Sequence, residues 1–242
     1  MNQRAGLLVL TAVLGAAIGF GSFQAWRRVA SPTAPVTANA TAPATAPTEL
    51  TATFDAAEPA PANTAIPDRV PALSLPDLQG RLRALDGYAG QPTLFNFWAT
   101  WCAPCLREIP LLNRLARSPG EDGSKPPRIV GIASDLRSNV VDFLKKNRIN
   151  YDLLVGERGA SDAAARLGVP LILPFTVFVA SDGRVVAIKL GELHWDDATA
   201  ILDAIHELDL GRRSLTATRT TIEIRLRELA ATRARLAAED KK

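Results

Sequence analysis

Residues 93–99 read Thr-Leu-Phe-Asn-Phe-Trp-Ala and run into Trp101-Cys102-Ala103-Pro104-Cys105, which holds the only two cysteines among 242 residues. A stretch this apolar and aromatic fits a buried strand. Pro104 suits the first turn of a helix, where a missing backbone N–H costs little. A strand that delivers Cys-x-x-Cys to a helix N-terminus is the setting in which the pair reads as a dithiol/disulfide redox site.

The other readings of the pair fare worse. A structural zinc site wants four Cys or His ligands, commonly as two close pairs. Only His194 and His206 remain, far from the cysteines in sequence and poorly spaced from each other. A bridge that closes so short a loop removes little chain entropy, so a purely structural disulfide is a weak reading. Copper(I) suits two soft thiolates, and although no third ligand is evident it stays open as an alternative. No resident metal or cofactor is expected.

Hydrophobic residues make up 47% of the chain and charged ones 22%, which is ordinary for a folded protein and argues for one globular domain with extensions. Nine of the 28 Lys and Arg lie from Gly211 onward against four of the 25 Asp and Glu, so the tail carries more than the whole net charge of +3. A basic helical tail is ordinarily a solvated face, and no nucleic-acid partner is inferred from it. Residues 5–26 carry no charge and include Leu7, Leu8, Val9, Leu10, Val13, Leu14, Ile18, Phe20 and Phe23. That is enough for one transmembrane helix, with Trp26 at the interface and Arg27-Arg28 following. The small-residue pattern Ala38-Asn39-Ala40 lies too far downstream for a cleavage site, so residues 1–28 are read as an uncleaved signal anchor. Residues 29–66, rich in Ala, Thr and Pro, form a linker expected to stay disordered, with a reach of about 35 Å.

From Pro67 the pattern alternates strands with helices. Turn signals at Pro76-Asp77 and Gln79-Gly80 mark an opening hairpin. Strand 93–99 follows, then a helix over 104–118 that Pro110 should kink. Strand 128–133 ends at Ser134-Asp135. A helix carries Val140, Val141, Phe143 and Leu144, then come an extended segment at 151–155 and a short helix closed by Gly168. Strands 175–179 and 184–190 flank Ser181-Asp182-Gly183, a hairpin signal. The last domain helix spans 196–208. In the tail, residues 211–242, Leu215, Ile222, Leu229 and Leu236 recur every seven residues. Thr218, Arg225 and Thr232 stand where a second apolar row belongs, so a solvated helix is expected rather than a coiled coil.

The segment from Asn96 to Pro110, Asn-Phe-Trp-Ala-Thr-Trp-Cys-Ala-Pro-Cys-Leu-Arg-Glu-Ile-Pro, resembles the active-site segment of the TlpA/ResA branch of thioredoxin-like proteins. The resemblance runs over about 67–210 and includes the anchor-plus-linker layout. It implies an α/β fold, a mixed sheet flanked by helices. It also implies a single-pass position in the bacterial inner membrane with the domain in the periplasm. Members commonly reduce disulfides in cytochrome c maturation or in copper-site assembly of oxidases.

Residue roles follow from both sources. Cys102 at the helix N-terminus feels free backbone N–H groups and the positive helix end, which favour the nucleophilic thiolate. Cys105 resolves the mixed disulfide. Glu108 shares a helix face with Cys105, and the resembled motif carries a functional carboxylate there; its competing reading is a plain surface glutamate. Asn96 stands where ordinary thioredoxins carry a buried aspartate. Pro174 is the expected cis-proline opposite the cysteines, because choosing Pro170 would strand Pro174 inside a sheet. Leu173 and the rim residue Trp101 are expected to touch substrate, while Trp98 packs. Ile172 and Phe175 depart from the resembled pattern, which has a small residue and a Thr at those places.

Three functions are therefore weighed. The first is a membrane-tethered reductase of client disulfides, re-reduced by a membrane electron donor. The second is a dithiol oxidase or isomerase for exported proteins, and the third is a copper-binding delivery module. A peroxidase reading is weaker, because the usual upstream Pro and Thr are missing. Nothing in the chain sets the oligomeric state.

Overall fold

The computed structural model describes residues 66–120, 123 and 125–239. The expected anchor and all but the last residue of the expected linker lie outside them. Among the described residues no helix is long and apolar enough to cross a membrane.

The described chain opens with a hairpin of β1 (Ser74–Pro76) and β2 (Leu82–Ala84), paired antiparallel with Leu75 opposite Arg83. Its turn is built by Asp77, whose Oδ1 accepts from the backbone N–H groups of Gln79 and Arg81 at 2.9 and 3.0 Å. This short-range side-chain bonding is what favours Asp at turns.

Next come β3 (Thr93–Trp98), α1 (Ala103–Leu115), β4 (Arg128–Ala133), α2 (Arg137–Leu144), β5 (Asp152–Val155) and α3 (Glu157–Arg166). The chain continues with β6 (Phe175–Val179), β7 (Val185–Leu190), α4 (Trp195–Asp209) and α5 (Leu215–Glu239). The larger sheet has the order β5-β4-β3-β6-β7, with β3, β4 and β5 mutually parallel and β6 and β7 antiparallel to their neighbours.

β3 lies at the centre and every one of its residues is buried, as a strand covered on both faces requires. Its alternation sorts side chains between the faces. Phe95 and Phe97 join a core with Leu75, Val130, Ile132 and Phe175. Phe97 stacks on Phe175 with ring centroids 4.1 Å apart. Leu94 points the other way, into a core with Leu112, Phe178, Ile201 and Ile205. Asn96 and Trp98 share that second parity, which brings them beneath α1.

The tail corrects one expectation. Helix α5 has a solvated outer face, but its inner face packs on α4 and β7 and contributes Ile222 to the second core. The inward residues are Leu215, Thr218, Arg219, Ile222, Leu226, Leu229 and Arg233. A straight helix drifts relative to a seven-residue repeat, so Leu236 at the end of the first row is exposed. Of the expected second row Thr218 faces inward while Arg225 and Thr232 do not, and Arg219, Leu226 and Arg233 supply the rest of the inner face. Thr218 can be fully buried because its hydroxyl donates to the Ser214 carbonyl at 2.9 Å. Arg219 reaches off the helix to the carbonyls of Pro67 and Val185 at 3.1 and 2.7 Å.

Candidate active site

Strand β3 ends at Trp98, and the loop of Ala99, Thr100 and Trp101 turns the chain into α1 with Cys102 as its N-cap residue. Cys102 and Cys105 are joined by a disulfide with their Cα atoms 5.3 Å apart. The Cys105 N–H points at the Cys102 sulfur, 3.4 Å away. When the pair is reduced, that N–H and the free end of the helix stabilise a thiolate on Cys102. Cys102 keeps 5% of its surface open while Cys105 has none, which suits attack by the first and resolution by the second.

The loop ahead of the cysteines is pinned by Asp135, just past β4. The carboxylate accepts from the Thr100 N–H at 3.0 Å, the Thr100 hydroxyl at 2.5 Å, the Leu136 N–H at 2.8 Å and Asn139 Nδ2 at 2.8 Å. Burial alone would raise this carboxyl, but the hydrogen bonds from Thr100, Asn139 and Leu136 hold it below the usual range, so it stays ionised. In the sequence Ser134-Asp135 marks only the end of a strand, and the partner of Asp135, Thr100, lies 35 residues earlier.

Glu108 is not a surface glutamate. It is 1% exposed, facing in from α1. Its Oε1 accepts from Asn96 Nδ2 at 2.7 Å, and its Oε2 accepts from the Leu193 N–H at 2.7 Å. Asn96 Nδ2 also donates to the Thr176 hydroxyl at 3.1 Å. Burial pushes the Glu108 carboxyl up to about 7. The Leu193 and Asn96 donors and the Lys189 charge pull it down, while Glu192 pushes it up. A group titrating there can take and return a proton under ordinary conditions. Tyr151 has a buried hydroxyl without a hydrogen-bond partner, and burial and then the Glu108 charge push it above its usual range. An amide in an otherwise apolar strand had to have a partner, so Asn96 itself was the clue to Glu108.

The Leu173–Pro174 peptide bond is cis. Leu173 packs against the cluster that contains Cys102, Cys105, Trp98 and Ile109, so the segment ahead of β6 is brought to the cysteines. The Pro174 carbonyl accepts from the Gly191 N–H at 2.9 Å. Trp101 and Ile172 are 70% and 67% exposed, large apolar side chains left open to solvent. Trp98 is buried and packs on Phe143, with ring centroids 5.5 Å apart.

A mixed sheet flanked by helices, with a Cys-x-x-Cys at the end of its central strand and a cis-proline segment against it, defines the class: a thioredoxin-like thiol–disulfide oxidoreductase. The model of the AhpC/TSA family matches residues 66–188, and the chain belongs to that family. Helices α4 and α5 lie beyond the matched residues. The chain is 28% identical over 142 residues to the thiol-disulfide oxidoreductase ResA of Geobacillus thermodenitrificans, covering 58% of this chain and 78% of the relative. It is 30% identical over 127 residues to a thioredoxin-like protein of Haemophilus influenzae, covering 52% and 71%. The crystal structure of a putative thiol:disulfide interchange protein DsbE from Chlorobium tepidum shares the fold. Its TM-score is 0.50 and its identity 20%, covering 60% of this chain and 98% of that one.

Proposed function

We propose that this oxidoreductase works as a reductant of disulfides in client proteins, tethered by residues 1–28 to the bacterial inner membrane with its domain in the periplasm. The clients in this reading belong to cytochrome c maturation or to oxidase copper-site assembly. The observation that carries it is the joint placement of Cys102 at a helix N-cap and a buried Glu108 with its carboxyl near neutrality one turn beyond Cys105.

The reaction is an exchange of two sulfur–sulfur bonds. The Cys102 thiolate attacks one sulfur of the client disulfide; a mixed disulfide forms and the other client sulfur leaves as a thiolate, which takes up a proton. The Cys105 thiol gives up its proton to become the second nucleophile and attacks the Cys102 sulfur. The Cys102–Cys105 disulfide forms and the second client sulfur departs. That sulfur leaves as a thiolate and takes up the proton that Cys105 gave to Glu108. The client gains two electrons from the protein and two protons, the first from solvent. Glu108 is the group assigned to take the Cys105 proton, Pro174 and Leu173 to align the client chain, and Trp101 to contact it. A membrane electron donor then re-reduces the pair, because no further cysteine is present to do so. Tethering raises the effective concentration of donor and clients at the membrane.

The dipeptide Ala103-Pro104 adds no charge that would stabilise the reduced form. A reduction potential nearer about −270 mV than about −120 mV is therefore expected. Equilibration of the full chain with a dithiothreitol or glutathione series measures it, and a value at the oxidising end would overturn the reductase direction in favour of an oxidase. A Cys105→Ser variant should accumulate mixed disulfides through Cys102 with membrane-associated clients. Trapping none, with tight copper(I) uptake instead, would favour copper delivery.

A further inference from the structure

Strand β7 runs into a turn over residues 190–194 that bonds the cis-proline segment, Glu108 and the outer face of α1. Its Gly191 N–H donates to the carbonyl of the cis-proline Pro174 at 2.9 Å. Its Leu193 N–H donates to Glu108 at 2.7 Å. Its Glu192 carboxylate takes the Arg107 guanidinium of α1, with Nε at 3.0 Å and Nη2 at 2.5 Å. The turn is tied in its own right by Lys189, whose ammonium donates to the carbonyls of Leu190 and Glu192 at 2.9 and 3.3 Å.

Lys189 is in turn held from behind. Its Nζ lies 3.7 Å from Asp197 Oδ2 in the first turn of α4, and His194 Nδ1 lies 3.6 Å from the same oxygen. The Asp197 side chain is fully buried, and taking a carboxylate out of water is costly unless opposing charges and donors surround it. The principal partner comes from α5. Arg233 Nη2 bonds both Asp197 oxygens at 2.9 and 3.1 Å, and its Nη1 bonds Asp196 at 2.8 Å. The rigid guanidinium fork spans two adjacent carboxylates, which an ammonium cannot do in the same geometry.

We infer that Arg233 is a positioning residue for thiol–disulfide exchange: by clamping Asp196 and Asp197 it fixes Lys189 and the 190–194 turn, and so holds the Leu193 N–H on Glu108 and the Gly191 N–H on Pro174. The inference rests on the reading of Glu108 as the proton-holding group. It assigns a function to a helix that lies beyond the residues matched by the family model.

Removing Arg233 leaves Asp197 with Lys189 and His194 alone. The Lys189 ammonium is then drawn toward the buried carboxylate and away from the turn carbonyls, and the turn loosens. The groups facing Glu108 are Asn96 from β3, Lys189 from β7, Glu192 and the Leu193 N–H from the turn, and Tyr151 ahead of β5. Arg107, its neighbour on α1, is engaged by Glu192. Weakening the Leu193 bond and displacing Lys189 both disfavour the carboxylate, so Glu108 titrates at higher pH.

The test is the pH dependence of Cys102 alkylation in the reduced full chain, compared among wild type, Arg233→Ala, Arg233→Lys and Glu108→Gln. Amide hydrogen exchange at Leu193 is followed in parallel. Arg233→Ala should move the Glu108-linked inflection upward by about half a pH unit or more and speed Leu193 exchange. Arg233→Lys should shift it less, in the same direction. An Arg233→Ala chain that folds, with profile and Leu193 exchange as in wild type, overturns the inference. Should that variant fail to fold, Arg233→Lys decides: its upward shift supports the inference and a profile identical to wild type defeats it. If Glu108→Gln itself leaves the profile unchanged, the Glu108 reading falls and this inference with it. If Glu108→Gln removes the inflection and Arg233→Ala does not move it, only this inference falls.

Discussion

A carboxyl group taken out of water loses the solvation that favours its anion, and at Glu108 two hydrogen-bond donors restore only part of it. The result is a titration pushed from 4.5 to about 7. An asparagine at 96 is consistent with this balance. It donates to the carboxylate, whereas an aspartate there would place a second buried acid against the first. Because native Glu108 holds its proton more tightly than the unfolded chain does, its stabilising contribution is full below pH 4.5. It is lost as pH rises through the window up to about 7. Over that window wild type should lose about 3 kcal/mol relative to Glu108→Gln, since each tenfold gain in proton affinity on folding is worth about 1.4 kcal/mol. Urea unfolding at a series of pH values measures the difference. A gap that does not change with pH would mean the carboxyl titrates as it does in the unfolded chain.

Among the elements, β4 is shaped by a close approach at Gly131, which sits opposite Asn96 of β3. A Cβ there would lie 2.7 Å from Leu153 Cδ2, 3.0 Å from Trp98 Nε1 and 3.2 Å from Tyr151 Cε2. Trp98 and Leu153 are both buried, so the crowding has few ways out. Gly131→Ala should destabilise by about 1–3 kcal/mol, the usual cost of overpacking a tight core. The strain falls on Trp98, the last residue of β3 before the cysteine loop, so exchange should slow as well. Thermal unfolding together with a disulfide-reduction assay checks both. An unaltered midpoint would show that the cores around Trp98 and Tyr151 have slack.

For the described molecule as a whole, α5 closes the second core. Ile222 is 4% exposed among Leu94, Phe178, Ile201 and Ile205, although it belongs to a helix that is polar over most of its surface. Ile222→Ala should cost about 2–4 kcal/mol in equilibrium unfolding, the range for truncating a buried aliphatic side chain. An exposed counterpart such as Ile224→Ala should change stability by less than about 0.5 kcal/mol. Equal small effects at both positions would return α5 to a solvated appendage.

Strand β3, the Cys102 helix start, the hairpin turn at Gly183 and the choice of Pro174 over Pro170 were all legible in the chain. Each rests on rules that act within a few residues: alternation in a strand, helix-end geometry, left-handed glycines, and the missing N–H of proline. The Leu193 partner of Glu108 was not legible, because Leu193 lies 85 residues away and donates through its backbone, which leaves no mark in residue type. Nor was the docking of α5, where the inward row includes Thr218, Arg219 and Arg233, residues that patterning assigns to solvent. Arg233 finds its carboxylates 36 and 37 positions back, on a different helix packed beside its own. Local sterics and periodicity are written into neighbouring residues. The environment of a buried charge is set instead by which distant elements come to lie side by side, and that requires the assembled fold.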